Sequence, residues 1–174
     1  MLFRRQSGDC RRCGLSAYRK HIVRGRGTIP ADILMIGEAP GETEDLTGEA
    51  FAGLAGRLLD EMCKKSKLDR FTIYRTNCVL CRPCDGIQEP NREPSPDEVL
   101  MCAPNVSGII RDVRPRAVVL LGDVAERYFR PVYRRAYKLY HPSYLLRTGG
   151  HASPAFLGQV REMERIGREI ENAV

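Results

Sequence analysis

Short apolar runs alternate along the chain with segments whose apolar residues recur at helical spacing. Four short runs have the length and composition of strands, at 32–36, 71–74, 117–121 and 137–140. Four segments are predicted to be helices, at 51–65, 96–113, 123–129 and 154–172. Loops are expected over 37–48 and 81–96, the second because its prolines exclude regular structure.

Strands that alternate with helices favour a parallel sheet covered on both faces. The sequence therefore predicts an α/β fold, a three-layer α/β/α sandwich with a central four-stranded parallel sheet. Ligands of such sheets bind beyond the carboxyl ends of the strands. Polar clusters follow the predicted strands at 37–45, 76–77 and 141–143, and we expect them to meet in one cleft.

The chain of 174 residues has the length of a single domain, 1–174, and 43% hydrophobic with 29% charged residues is ordinary for a globular protein. Its longest useful apolar run, 117–121, is far shorter than a bilayer span requires, so no membrane association is expected. Charged residues among the first six stand where a secretory signal has its apolar core. We expect an intracellular, cytoplasmic protein.

The net charge of +6 comes almost entirely from arginine: 28 basic residues face 22 acidic ones, and lysine occurs at only five positions. Arginine offers a planar fork that suits phosphate, so the excess favours a polyanionic partner such as nucleic acid. A solvated, arginine-rich surface explains the same numbers.

Seven cysteines are too many for packing alone in an intracellular chain of this size. Six of them fall in groups, and only Cys63 stands apart: Cys10 and Cys13, then Cys78, Cys81 and Cys84, then Cys102. The groups lie too far apart for a zinc ribbon, and they indicate a metal or an iron-sulfur cluster that joins distant segments. Spacing alone does not separate zinc from a four-iron cluster.

The loop at 37–45 carries four carboxylates and two glycines directly after a predicted strand. It lacks the lysine and the glycine spacing of a phosphate-binding loop, and its charge would repel phosphate. An acidic turn that caps the next helix is the simple alternative to a catalytic role.

Motifs along most of the chain make it similar to the family 4 uracil-DNA glycosylases. They occur in the family's order, from Gly37-Glu38-Ala39-Pro40-Gly41-x-x-Glu44-Asp45 through Phe51-x-Gly53-x-Ala55-Gly56, Thr76-Asn77, Cys81-Arg82-Pro83, Asn91-Arg92-x-Pro94, Cys102-x-Pro104 and Leu121-Gly122 to His141-Pro142-Ser143-Tyr144-Leu145-Leu146-Arg147. No single motif is decisive, but eight in order with matching cysteines make the resemblance specific.

The resemblance implies a structural 4Fe-4S cluster held by Cys10, Cys13, Cys81 and Cys102, which occupy the family's ligand positions. Cys78 and Cys84 depart from the pattern and lie one Cys-x-x-Cys step on either side of Cys81. Either is an alternative ligand. Cys63, at a helical position, is expected to be a buried apolar residue.

The resemblance also implies a role for three side chains in base excision. Phe51 would stack on the uracil, and Asn77 would read its edge through a carboxamide that both donates and accepts. His141 would donate to the uracil carbonyl that gathers charge as the glycosidic bond breaks. Each has a simpler alternative: the first core residue of a helix, a strand-end cap and a satisfied loop residue.

Glu38 and Glu44 are the candidate catalytic carboxylates, placed to orient water or to stabilise an oxocarbenium-like sugar. The residues do not decide between them. Ala39 and Gly41 stand where other uracil glycosylases have an aspartate and an aromatic residue, so water activation and rejection of thymine must be arranged differently here. With Ser143 they are expected to contact the substrate.

Residues 144–147 follow His141 where the superfamily carries its DNA-wedging loop. Leu145 and Arg147 are predicted to contact DNA, although Leu145 and Leu146 are equally suited to the core. Basic residues just before this loop would suit phosphate contacts: Arg130, Arg134, Arg135 and Lys138.

The resemblance thus implies a monomeric, monofunctional hydrolase of base excision repair that acts on uracil in single- or double-stranded DNA. The stretch 122–141 is shorter, and 84–91 longer, than expected for the family. A glycosylase that removes a modified pyrimidine, or a non-catalytic DNA-binding module, therefore remains an alternative.

Overall fold

The protein is built on a five-stranded sheet, one strand more than predicted. The computed structural model describes residues 10–133 and 135–173, so the first six residues and Arg134, discussed above, lie outside it. The strands are β1 (Arg26–Gly27), β2 (Ile33–Gly37), β3 (Ile73–Asn77), β4 (Ala117–Leu121) and β5 (Ala136–Leu139). Their order across the sheet is β1-β3-β2-β4-β5.

The additional strand is β1, which pairs antiparallel with β3 at the edge of the sheet. The other four strands are mutually parallel, as predicted. The prediction of a four-stranded sheet is wrong because β1 has only two residues, too few to produce a hydrophobic pattern.

Four of the described α-helices were predicted and two were not. The helices are α1 (Glu42–Thr47), α2 (Leu54–Lys65), α3 (Pro96–Val113), α4 (Asp123–Phe129), α5 (Pro142–Arg147) and α6 (Pro154–Glu171). The unpredicted helices, α1 and α5, have six residues each, less than two turns, and so show no helical periodicity. The expected loop over 37–48 therefore contains a helix.

Alternate residues of the strands face two separate hydrophobic clusters, which makes the predicted three layers. Leu34, Ile36 and Leu120 pack with α3 and α4 on one face. Ile33, Met35 and Val119 pack with α2 and α6 on the other. β2 and β4 are buried on both faces, which explains their continuous apolar runs. None of the described helices has both the length and the hydropathy of a membrane span.

Strand register decides where the polar clusters lie. β3 begins at Ile73 and extends to Asn77, later than predicted, because it pairs residue by residue with β2 until Asn77 lies opposite Gly37. α2 begins at Leu54 instead of at 51, since Phe51 has a left-handed backbone with a φ of 56°. Both shifts place functional residues at the carboxyl edge of the sheet.

Candidate active site

The three polar clusters meet, as predicted, in one cavity of about 350 Å³. Nine residues that were predicted from the sequence line this cavity: Glu38, Ala39, Gly41, Glu44, Phe51, Asn77, His141, Ser143 and Arg147. The wall also contains Ala55, Asn91 and Arg92, to which sequence reasoning gave no role in the site. Asn91 and Arg92 did belong to a recognised motif, which was the available signal.

Gly37, the last residue of β2, lies where the key side chains converge. A Cβ atom at this position would be 2.5 Å from Asn77 Oδ1, 2.8 Å from Phe51 Cζ and 3.5 Å from His141 Nε2. The first two distances are shorter than van der Waals contact. The absence of a side chain at Gly37 therefore provides the space between these three groups, a function that sequence reasoning missed.

Phe51 has a left-handed backbone conformation and lies very close to Gly56. Its side chain is buried, and a Cβ at Gly56 would lie 1.7 Å from the Phe51 carbonyl oxygen, so only glycine permits this approach. Its ring centroid lies 6.4 Å from that of His141, with 30° between the ring planes. Phe51 thus forms a flat apolar wall, although it is not the first residue of α2.

His141 precedes α5 and caps its first turn. Its Nδ1 accepts a hydrogen bond from the Ser143 main-chain N–H at 3.2 Å. Burial and the positive charge of Arg147 lower the pKa of His141 to about 4, against a weaker opposite effect from Glu44. The ring is therefore neutral at physiological pH, and since Nδ1 accepts, the proton resides on Nε2, on the side of Gly37.

Asn77 ends β3 and is almost completely buried, at 2% exposure. Its main chain pairs with Gly37, which directs the carboxamide into the same space. A carboxamide there offers one acceptor and two donor hydrogens to a planar ligand.

The two candidate carboxylates differ in their surroundings. Glu38 is half-buried in the cavity wall, and burial together with nearby Glu93 raises its pKa, against the opposing charges of Arg127 and Arg147. Glu44 has both oxygens bound to main chain: Oε2 accepts from Gly41 N–H at 3.0 Å and Oε1 from Gly53 N–H at 2.8 Å.

Asn91 fastens the loop that follows β2. Its Nδ2 donates to the Pro40 carbonyl at 3.1 Å, and its Oδ1 accepts from Arg82 Nε at 2.6 Å. Arg92, beside it, forms a bidentate ion pair with Glu98 at 2.8 Å. The Asn91 hydrogen bond holds the main chain at Pro40, between Ala39 and Gly41.

The segment after His141 divides between core and surface. Leu145 is completely buried in the cluster with α2 and α6, as its alternative role in the core requires, so it is not exposed for a DNA contact in this structure. Tyr144 and Leu146 are exposed, by 43% and 38%. A six-residue helix directs successive side chains about 100° apart, which separates Leu145 from its neighbours.

The basic residues before this segment are only partly available. Arg135 is exposed, as a DNA contact would require, but it does not line the cavity. Arg130 donates to Glu126 and to the Ala136 carbonyl, and Lys138 forms an ion pair with Asp123 at 2.6 Å.

Four cysteines from three distant segments line a second, apolar cavity: Cys10, Cys13, Cys81 and Cys102. Asn105 Nδ2 lies 3.9 Å from Cys10 Sγ, within hydrogen-bonding distance for sulfur. Cys78 and Cys84 are buried but do not line this cavity, and Cys63 packs in the α2 and α6 cluster as expected. Within the described ranges, no three His, Cys, Asp or Glu side chains are grouped closely enough for a single metal ion.

The chain is similar in sequence to known glycosylases. The sequence model of the uracil DNA glycosylase superfamily matches residues 24–163. A type-4 uracil-DNA glycosylase of Archaeoglobus fulgidus is 34% identical over 96% of this chain and 75% of its own. The enzyme of the same name from Thermotoga maritima is 34% identical over 80% and 79%.

A third relative is matched over a shorter stretch. The type-4 uracil-DNA glycosylase of Saccharolobus solfataricus is 40% identical over 68% of this chain, and the match spans only about half, 53%, of that relative's length. From the superfamily match and the two longer alignments, this chain belongs to the uracil DNA glycosylase superfamily and, within it, to the type-4 uracil-DNA glycosylases.

Proposed function

We propose that this protein removes uracil from DNA by hydrolysing the N-glycosidic bond, as the first step of base excision repair. The observation that carries the proposal is the convergence of Phe51, Asn77 and His141 on the space above Gly37. An aromatic wall, a carboxamide and a neutral imidazole suit a planar pyrimidine with a polar edge. The names of the matched relatives support the same substrate.

Base excision requires that the nucleotide leave the DNA stack and enter a shaped pocket. Phe51 supplies a flat surface for the pyrimidine ring, and Asn77 supplies the donors and acceptor that read its edge. Both are buried in the folded protein, so the pocket is formed before DNA arrives.

His141 stabilises the departing base. As the glycosidic bond breaks, negative charge gathers on a uracil carbonyl, and the Nε2–H of a neutral imidazole donates a hydrogen bond to it. The Ser143 N–H holds the ring in this tautomer, and burial prevents its protonation. The donor is therefore oriented in advance and requires no reorganisation during the reaction.

We assign the role towards the sugar or the attacking water to Glu38, because main-chain N–H groups already hold both oxygens of Glu44. The raised pKa of Glu38 reflects partial removal from solvent, which strengthens its electrostatic effect on a cationic sugar.

Contacts with DNA are assigned to the surface around the cavity. Arg147 lines the cavity and would reach a phosphate of the extruded nucleotide. The exposed Tyr144 and Leu146, rather than the buried Leu145, are placed to contact neighbouring bases. Exposed Arg135 would bind the phosphate backbone further away.

The second cavity fits a 4Fe-4S cluster, since four thiols and an apolar wall are its donor set and surroundings. Cys10, Cys13, Cys81 and Cys102 would hold it. Such a cluster supplies cross-links between distant segments, and we assign it a structural role.

We infer a monofunctional reaction that leaves an intact abasic site. Schiff-base chemistry requires a lysine amine at the sugar. The chain has lysine only at positions 20, 64, 65, 67 and 138, and none of these residues lines the described cavity.

The direct test is an excision assay on single-stranded and duplex oligonucleotides that contain one uracil. We expect release of free uracil, no strand cleavage before alkali and no borohydride-trapped complex. The His141→Ala variant should lose about 10²–10³-fold in rate, the usual cost of one such donor. Release of only a modified pyrimidine, or DNA binding without excision, would instead support one of the alternatives. A denaturant-resistant protein-DNA adduct that the wild type forms and His141→Ala does not would show that His141 attacks rather than donates.

A further inference from the structure

Two consecutive carboxylates of α1, Glu44 and Asp45, accept hydrogen bonds from two different directions outside the helix. Asp45 is 2% exposed. Its carboxylate accepts from Lys20 N–H at 2.9 and 3.1 Å and from His21 N–H at 3.2 Å. Its carbonyl oxygen lies 2.7 Å from His21 Nδ1. Asp45 therefore fastens α1 to the segment that begins at Cys13.

That segment is also connected to the rest of the cysteine cavity. Leu15 and Arg19 line the cavity together with Cys13. Val23 N–H donates to the carbonyl of Leu80, the neighbour of Cys81, at 2.7 Å. The position of the main chain at 20–21 is thus determined by the anchoring of the cysteine segment.

Glu44 fastens the same helix to the pocket. Its two oxygens bridge Gly41 N–H, at the start of α1, and Gly53 N–H, at the start of α2. A Cβ at Gly41 would lie 2.7 Å from Oε2, and one at Gly53 3.1 Å from Oε1, so the two glycines permit the close approach of the carboxylate. Gly53 is two residues from Phe51, whose strained backbone requires external support.

We propose that Glu44 and Asp45 are positioning residues that make the placement of Phe51 depend on the anchored cysteine segment. The proposal rests on the proposed function, in which Phe51 stacks on uracil. A buried carboxylate such as Asp45 is costly unless it is hydrogen-bonded, and the bonds of Asp45 and Glu44 join the segment at 20–21, α1 and the start of α2. α1 thus connects the two cavities, in addition to the segment 77–81 that lines both.

The test compares Asp45→Asn and Glu44→Gln with Asp32→Asn. Asp32 is a matched control because it also accepts main-chain and side-chain hydrogen bonds, from Thr72 N–H at 3.0 Å and Thr72 Oγ–H at 2.7 Å, before the start of β2. Each variant keeps the shape of the side chain and removes acceptor capacity. Hydrogen exchange of a peptide covering 50–56, the affinity for free uracil and the cluster absorbance are measured for all three.

We expect Asp45→Asn to accelerate exchange at 50–56, although the described side-chain hydrogen bonds of Asp45 lead to Lys20 and His21, and to weaken uracil binding about tenfold, the scale of one hydrogen bond to a charged group. Glu44→Gln should do the same and also accelerate exchange at 18–22. The double variant should lose no more than the worse single one, since both act through one helix. Asp32→Asn should lower stability without either effect.

The proposal would be overturned if Asp45→Asn had the same exchange rate at 50–56 and the same uracil affinity as the wild type. If Asp45→Asn does not fold, unchanged exchange at 18–22 in Glu44→Gln overturns it equally. The two failures are distinguishable. The exchange measurement tests the coupling even in a protein that does not release uracil, whereas uracil release by the wild type tests the proposed function.

Discussion

The rings of Phe51 and His141 lie 6.4 Å apart between centroids and 30° from parallel, and both reach the position that a side chain at Gly37 would occupy. Ninety positions of sequence separate the two rings, yet the end of one strand sets the space between them. Space at Gly37, rather than any one polar group, defines the shape of the cavity between these rings.

Replacing Gly37 with alanine should therefore abolish most activity without unfolding the protein. The added Cβ would collide with Asn77 Oδ1 and Phe51 Cζ, and displacement of catalytic groups by about 1 Å costs on the order of 10²-fold in rate. Uracil release and circular dichroism measure the two effects. Gly158→Ala is the control, because a Cβ there meets nothing within 4 Å. Equal activity of the two variants would contradict this account of the pocket.

The lowered pKa of His141 predicts a pH dependence of stability. Between pH 4 and 6.5, the folded and ordinary pKa values, the unfolded chain binds a proton at this residue that the folded chain does not. The free energy of unfolding should therefore rise with pH in this window, by up to about 1.4 kcal/mol per pH unit from this group. The contribution is complete above the upper value and is lost as the pH falls towards the lower one. Denaturant titrations of the wild type and His141→Asn should show a shallower slope in the variant; identical slopes would exclude the effect.

The cysteine cavity predicts which thiols hold the cluster. Purified protein should be brown, with absorbance at about 400 nm, as expected for thiolate-bound iron and sulfur. Cys102→Ser should lose this absorbance and much of the soluble protein, because the cluster joins segments distant in sequence. Cys84→Ser, a buried cysteine outside the cavity, should keep both. Iron analysis that showed loss in Cys84→Ser and retention in Cys102→Ser would reverse the assignment.

Leu145 and Leu146 should respond oppositely to truncation. Leu145→Ala removes a fully buried side chain and should lower the free energy of unfolding by about 2–5 kcal/mol. Leu146→Ala, at an exposed position, should leave stability nearly unchanged and weaken binding to uracil-containing duplex DNA. Thermal unfolding and fluorescence anisotropy separate the two. A DNA-binding defect confined to Leu145→Ala would instead support the prediction that Leu145 contacts DNA.

Hydrophobic periodicity alone was sufficient for the α/β class, for the central strands and for the four longer helices. The reason is that β2 and β4 are buried on both faces and so form unbroken apolar runs, whereas α2, α3 and α6 each bury a single face. Because the carboxyl ends of parallel strands share one edge, the meeting of 37–45, 76–77 and 141–143 also followed from the sequence. The family resemblance singled out nine of the twelve residues that line the first cavity and the four cysteines that line the second.

Only the tertiary structure determined the features that depend on side-chain direction and on long-range contacts. Sequence could not separate Glu38 from Glu44, because only the fold brings Gly53 N–H to the second oxygen of Glu44. It could not choose between core and surface for Leu145, since α5 is too short to show periodicity. The two-residue strand β1 exists only through its pairing with β3. The local hydrophobic pattern shows which residues avoid water. The direction of a carboxylate and the end of a strand are instead set by partners that are distant in the sequence.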